Sequence, residues 1–177
     1  MRIEVVPEHA LTRDIDRAIG ALMDIAFEPG AGYDGRSYHK TRHHLRVIGW
    51  DGDHLIGHVA LQLRAIRMGG AALTIAGVGE VAVHPGHQGH GRGTALMREA
   101  ITAVEGGIAA FAVLFGHPGL YAPLGFQPQP NRLRHVAWGD GRPTRVVTDE
   151  IGSLMVLPLG TRHWDAAAEI DLCGPLF

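Results

Sequence analysis

The apolar positions change their period along the chain, and each period predicts an element. Arg2–Val6 (RIEVV) reads as a strand that Pro7 stops. From Leu11, the residues Leu11, Ile15, Ala18, Ile19, Leu22 and Ile25 recur at helical spacing. That helix ends before Glu28–Gly35 (EPGAGYDG), a loop by composition. Ser37–Leu45 (SYHKTRHHL) is ambiguous by pattern, with a short second helix as one reading. Arg46–Trp50, the turn Asp51–Asp53 and His54–Met68 form a strand, a hairpin turn and a long strand. A turn at Gly69-Gly70 leads into a third strand, Ala72–Val83, whose Gly77 and Gly79 predict a bulge or a close backbone approach.

Thr94–Glu105 returns to helical spacing and stops at Gly106-Gly107. Ile108–Gly116 is an almost unbroken apolar run, expected of a strand buried on both faces. His117–Phe126 has room for one short helix. Strand-like pieces follow at Leu133–Trp138 and Ser153–Leu157, with the turn Asp140–Pro143 between them. The order β-α-(α)-β-β-β-α-β-α-β-β predicts one mixed α/β domain over residues 1–177.

Composition narrows the function classes. The chain has 177 residues, 46% apolar, with a formal charge of −2. No Lys/Arg-rich face stands out, which argues against a nucleic-acid partner. No run approaches the roughly 18 apolar residues of a membrane span, and the first residues lack the apolar core of a signal peptide. The single cysteine, Cys173, excludes an internal disulfide and a thiolate zinc cluster and fits a reducing cytoplasm.

The densest local signal is Gln88-Gly89-His90-Gly91-Arg92-Gly93, between a strand and a helix. A nucleotide P-loop would need a Lys-Ser/Thr pair after the last glycine, and here Thr94-Ala95 follows. A dinucleotide fingerprint would need another glycine spacing and an acid on the next strand tip, where LFGHPG stands. A metal site could draw on His84, His87 and His90, but these sit in neither a continuous helix nor a strand, with no carboxylate close by. A loop rich in glycine merely to turn tightly is the plain alternative. The reading that fits best is an anion site. Glycines bare successive backbone N–H groups, and the helix N-terminus adds its dipole, so a phosphate can bind without a lysine.

A strand ending Val81-Ala82-Val83-His84-Pro85, followed by Gln88-x-x-Gly91-x-Gly93 opening a helix, resembles the pyrophosphate loop of the GNAT acyl-CoA N-acyltransferases. A second segment, Leu114–Phe126 (LFGHPGLYAPLGF), resembles the later part of that family: a buried strand, a short helix carrying a tyrosine, then Gly-Phe. Arg46–Pro85 resembles the matching stretch of aminoglycoside 2′-N-acetyltransferases and of nodulation protein A acyltransferases, with His58, Arg64 and the Gly69-Gly70 turn shared. The segment around Tyr121 is most similar to small bacterial GNAT proteins.

The resemblance implies a GNAT-like mixed central sheet with a splayed parallel strand pair, Gly77–Val83 and Ala110–Phe115, and flanking helices. It implies acetyl-CoA as cosubstrate, bound by Val81, Ala82, Val83, Gln88, Gly89, His90, Gly91, Arg92, Gly93, Thr94 and Gly116, with no metal. It implies Tyr121 as the group that protonates the departing thiolate. The proton acceptor is left between Glu80 and the terminal carboxylate of Phe177, with His84 or an already neutral amine behind them. Burial of Glu80 on an apolar strand is expected to raise its pKa and make it a better base. The 2′-acetyltransferases carry their glutamate one position earlier, where this chain has Gly79, and only a bulge would restore the face. Glu28, Asp34, Asp149 and Glu150 are candidates to hold a cationic acceptor. The expected partner is a small-molecule amine such as an amino sugar, and a homodimer is compatible. Acetylation of a protein N-terminus or lysine, and CoA binding without turnover, are the alternatives.

Overall fold

A computed structural model describes residues 1–177. The chain runs β1 (Arg2–Pro7), α1 (Arg13–Ala26), β2 (Leu45–Asp51), β3 (His54–Met68), β4 (Ala71–Val83), α2 (Arg92–Val104), β5 (Phe111–Phe115), α3 (Pro118–Tyr121), β6 (Gln127–Pro128), β7 (Arg132–Gly139), β8 (Arg142–Glu150), β9 (Leu154–Pro158) and β10 (Ile170–Pro175). It divides into two compact units, Met1–Gln62 with Gly79–Ala103 and Leu63–Val78 with Val104–Phe177. Strands β3 and β4 run through both.

In the first unit β1, β2 and β3 form an antiparallel meander, with β1 paired to β2 from Arg2↔Trp50 to Pro7↔Leu45. Helix α1 forms where the period of the apolar residues predicts it. Thr12 caps it, its Oγ1 accepting from the Ile15 N–H at 3.2 Å, and Asp14 and Asp16 sit in the first turn, where carboxylates suit the helix dipole. Its inner face buries Ile19, Leu22 and Met23 against Tyr33, Ile48 and Ala82. Leu96 of α2 seats where a side chain on Gly57 of β3 would stand, 2.5 Å from that Cβ position.

The second unit has the strand order β6-β9-β5-β4-β3-β10-β7-β8 and mixes parallel with antiparallel pairs. Its core is Ile66, Leu73, Ile75, Phe111, Val113, Leu133, Leu154, Val156, Ile170 and Leu172. Trp164 packs edge-on against Phe111, with ring centroids 5.1 Å apart. The Trp164 indole N–H donates to Asn131 Oδ1 at 2.8 Å, and Asn131 in turn donates to the carbonyls of Asp165 and Ala168.

Three sequence expectations change. Ser37–Leu45 is not a helix; its groups serve side chains elsewhere, with the His39 N–H bonded to Glu80 and the Ser37 carbonyl to Arg46. Strand β8 follows directly on the Asp140–Pro143 turn as the hairpin partner of β7, where no strand was expected. It is an end strand, largely exposed, so its residues RPTRVVTDE carry little of the apolar pattern that marks a buried strand. Strand β10, where the apolar pattern predicts no strand, is inserted between β3 and β7.

Helix α1 also carries Gly20, against which the loop closes. A Cβ there would lie 2.2 Å from the Gly35 carbonyl oxygen, a backbone atom that cannot rotate aside. Gly20→Ala gains up to about 1 kcal/mol of helix propensity but forces an overpacking cost of about 1–3 kcal/mol. A net loss in urea unfolding is expected; a net gain would show that the loop moves freely off the helix.

Candidate active site

The end of β4 is built to present backbone. After Val83 the chain makes a 3₁₀ turn at Pro85–His87, capped by His84, whose Nδ1 accepts from the Gly86 N–H at 3.1 Å. The Gln88 amide nitrogen reaches back to the Val83 carbonyl at 3.1 Å. Gly89 and Gly91 then adopt φ of +78° and +71°, conformations that L side chains rarely take. A Cβ on either would meet nothing within 4 Å, so no packing contact asks for glycine there and the backbone faces open space. The Gly91 carbonyl accepts from the Ala95 N–H at 3.0 Å, which makes it the first turn of α2. The leading N–H groups of a helix lack intrahelical partners and carry the positive end of its dipole. Gly93 differs: a Cβ there would make only an ordinary 3.6 Å contact with Val83. The histidines of the loop hold it in shape. Arg92 donates to the His87 Nδ1 at 2.7 Å and to its carbonyl, and the His90 Nδ1 donates to the Gln88 carbonyl at 2.7 Å.

In the second unit β4 and β5 run parallel for three registered pairs only, Ile75↔Phe111, Ala76↔Ala112 and Gly77↔Val113. Beyond them β5 continues through Phe115, paired only with β9. Just past β5, Gly116 leaves room for Tyr121: a Cβ at Gly116 would lie 2.3 Å from the Tyr121 ring. Tyr121 closes α3, a single turn started by Pro118 and capped by His117, and its ring meets Phe126 at 6.2 Å. Burial pushes the Tyr121 phenol above its ordinary pKa, so it stays protonated at neutral pH.

Glu80 sits at φ +52°, a left-handed residue within a strand. Its side chain is 7% exposed and meets two hydrogen-bond donors and a histidine ring. Oε1 accepts from the His39 N–H at 2.8 Å, and Oε2 accepts from Arg46 Nη1 at 3.2 Å and lies 2.9 Å from His43 Nε2. Arg46 is fully buried and also chelates Glu8 through Nε at 2.6 Å and Nη2 at 3.1 Å. Arg46 Nη1 also donates to His58 Nε2 at 3.2 Å, so the proton of that ring is on Nδ1, which donates to the Glu80 carbonyl at 2.9 Å. Burial, then the Arg46 charge, pushes His58 down to about 3, so it is neutral. The outer end of the network is Arg42, which bridges Glu8 and Asp16.

This overturns the expected direction of the Glu80 pKa. Burial does push it up, but the His43 ring and the His39 N–H pull the other way, and the net position is below the ordinary carboxylate range.

Residues 14–129, about two thirds of the chain, match the family described as acetyltransferase (GNAT) domain. The chain belongs to the GNAT acetyltransferase family. No curated protein matches its sequence. Solved GNAT structures share its fold. A GNAT family acetyltransferase from Brucella melitensis, in complex with acetyl-CoA, is 19% identical with a TM-score of 0.62, over 96% of this chain and 94% of that one. The GNAT family N-acetyltransferase YhbS from Escherichia coli, in complex with CoA, is 22% identical with a TM-score of 0.66, over 97% and 89%. The ribosomal-protein-S18-alanine N-acetyltransferase of Escherichia coli is 19% identical with a TM-score of 0.60, over 92% and 97%.

Within this GNAT chain the other sequence-derived residues fall into separate settings. Ala82 turns its side chain into the α1 core, so only its backbone faces elsewhere, while Thr94 is exposed on the first turn of α2. Glu28 and Asp34 are exposed on the loop after α1 and line one cleft of about 310 Å³ with Phe27, Tyr33 and Asp24. Asp149 and Glu150 lie on the β7–β8 hairpin of the second unit, where Asp149 stands 3.6 Å from His135. Sequence reasoning missed Arg46 and His43. The one available signal was an arginine at the head of the apolar strand RVIGW, where an unpaired charge would be costly.

The lowered pKa values make the network an acid-sensitive clasp. Glu80, Glu8 and Asp16 titrate below their ordinary values in the folded protein. Their stabilisation is therefore complete above the ordinary carboxylate range and is lost as pH falls through the folded values. Glu80→Gln, which breaks a buried pair, should cost about 3–5 kcal/mol at pH 7. The gap to wild type in urea unfolding should narrow from about pH 5 downward. A gap independent of pH would mean that Glu80 contributes shape alone.

Proposed function

We propose that this GNAT protein transfers an acetyl group from acetyl-CoA to a primary amine of a small molecule, with amino sugars and aminoglycosides the favoured class. The observation that carries the reading is the open, left-handed backbone of Gly89 and Gly91 at the start of α2. A Cβ would fill that cradle, and nothing in the protein occupies the space. Such a nest of N–H groups on a helix N-terminus suits a diphosphate. The structural neighbours that carry acetyl-CoA and CoA support the choice of ligand.

Bound acetyl-CoA would supply the activated acyl group. Its amide-bearing arm fits the stretch of β4 beyond the last registered pair with β5, where the strand can take an extended partner. Transfer forms a C–N bond, breaks a C–S bond, and leaves one amine proton and one thiolate for the protein to manage. Backbone N–H groups of the Val81–Val83 stretch are the proposed donors to the developing oxyanion. Tyr121 meets the thiolate. With its pKa raised above 10 against about 8.5 for a thiol, it acts by donating a hydrogen bond more than by releasing its proton outright.

Glu80 is ionised throughout the neutral range, and its two donors with the adjacent His43 ring make it a weak base. We assign it to the electrostatics and shape of the acceptor side rather than to direct proton removal. Glu28 and Asp34, beside Phe27 and Tyr33, offer carboxylates and aromatic faces to a cationic amine.

Acetyl-CoA at 100 times its dissociation constant should stabilise the protein by about 2.7 kcal/mol, and free CoA should do nearly as well. Gly91→Val should remove the shift and leave the protein folded. If neither ligand raises the melting temperature at millimolar concentration, the reading fails.

Tyr121→Phe should lower turnover about 100-fold in a thiol-release assay over a panel of amines and aminoglycosides, with CoA affinity retained. An unchanged rate would return Tyr121 to a packing role. On the most active amine, Glu80→Gln should lower kcat/KM without moving the acid limb of its pH profile; a flattened limb would make Glu80 the base.

A further inference from the structure

The last registered pair of the parallel strands, Gly77↔Val113, is covered on one side by a single aromatic ring. A Cβ at Gly77 would stand 2.7–2.8 Å from three ring carbons of Phe177, so the ring rests directly on the glycine backbone. It also meets Phe115, two residues past Val113, with centroids 5.4 Å apart and planes at 38°. Phe177 thus spans β4 and β5 at the place where their pairing ends, on the side that carries Phe111 and Val113.

The ring is held there by purpose-built backbone. Strand β10 loses register with β7 between Asp171 and Pro175. Cys173 in this stretch has φ +50°, and its N–H is fixed to Asp171 Oδ1 at 2.9 Å. The bulge redirects the chain toward β4. Arg64 on β3 clamps the redirected segment. Its Nη1 donates to the Pro175 carbonyl, and its guanidinium carbon lies 5.0 Å from the Phe177 ring centroid. Gly174 admits the guanidinium, since a Cβ there would already lie 3.4 Å from it.

We propose that the Phe177 ring is the floor of the acyl-binding end of the site, that it restricts the donor to short acyl groups, and that Arg64 is its positioning residue. The inference rests on the reading of this protein as an acyl-CoA-dependent enzyme whose donor arm lies along β4. An acyl group entering where β4 and β5 part has the ring as its wall. A two-carbon group stops short of it, whereas a six-carbon chain must displace a ring pinned by a cation, a bulge and a glycine seat. The chemistry specified is therefore a short-chain acyl thioester.

Calorimetric titration of CoA, acetyl-CoA and hexanoyl-CoA tests this. Wild type should bind hexanoyl-CoA at least about tenfold more weakly than acetyl-CoA. Phe177→Ala should abolish that ratio. Phe177→Leu, which keeps apolar bulk should the alanine variant not fold, should move it part of the way. Arg64→Met should also reduce it while every ring atom is kept, which a merely structural arginine would not do. If wild type binds both thioesters equally, or a folded Phe177 variant keeps the wild-type ratio, the inference is overturned. If CoA itself does not bind, the functional reading falls and takes this one with it; if CoA binds and the ratio does not respond, only the Phe177 assignment falls.

Discussion

The first unit depends on one buried cation. Arg46 is fully buried, and a guanidinium there is tolerable only because Glu8 and Glu80 share its charge and the Ser37 carbonyl and His58 also lie within hydrogen-bond reach of Nη1. Those partners come from four places: the turn after β1, the loop after α1, β3 and β4. None of them is a neighbour of Arg46 in sequence. The net gain in stability from such a cluster is small, because desolvation cancels most of the attraction, while the loss on removing one partner is large. The cluster thus acts as a register lock. It makes one arrangement of the Ser37–His44 loop over Glu80 much better than its alternatives.

Glycine does two unrelated jobs in this chain, and composition alone does not separate them. At Gly89 and Gly91 the backbone dihedral excludes other residues and the outward side is open, which is what a ligand-facing loop needs. At Gly77 and Gly116 the dihedral is ordinary and the space is taken, by the rings of Phe177 and Tyr121. The second pair marks where aromatic side chains have been brought against strand backbone. The Gly116 position was expected to face the cofactor, yet its missing side chain is explained by its own neighbour Tyr121.

Much of the fold was legible because local periodicity and burial agreed. Helix α1, the β2–β3 hairpin, α2 after the glycine loop and the apolar strand β5 each carry the pattern of the surface they bury. The glycine loop was legible because glycine spacing is a backbone property. Strands β8 and β10 were not. The first is an exposed end strand, and the second is short and interrupted by a bulge, so neither shows alternation. Ser37–Leu45 was ambiguous because its residues answer to long-range partners. The sign of the Glu80 shift had the same cause: burial could be read from its neighbours in sequence, but the partners His39, His43 and Arg46, some 34 to 41 positions away, could not.

A fully buried arginine, Arg46, and a half-buried one, Arg64, are accommodated by different means. Arg46 is met by carboxylates, so its cluster is close to neutral and rigid. Arg64 is given a carbonyl and an aromatic face, and burial pushes it down to about 10, still charged at neutral pH. Arg46 thus locks together residues that lie far apart in the chain, whereas Arg64 fixes one short segment, Cys173–Phe177, through the Pro175 carbonyl and the Phe177 ring.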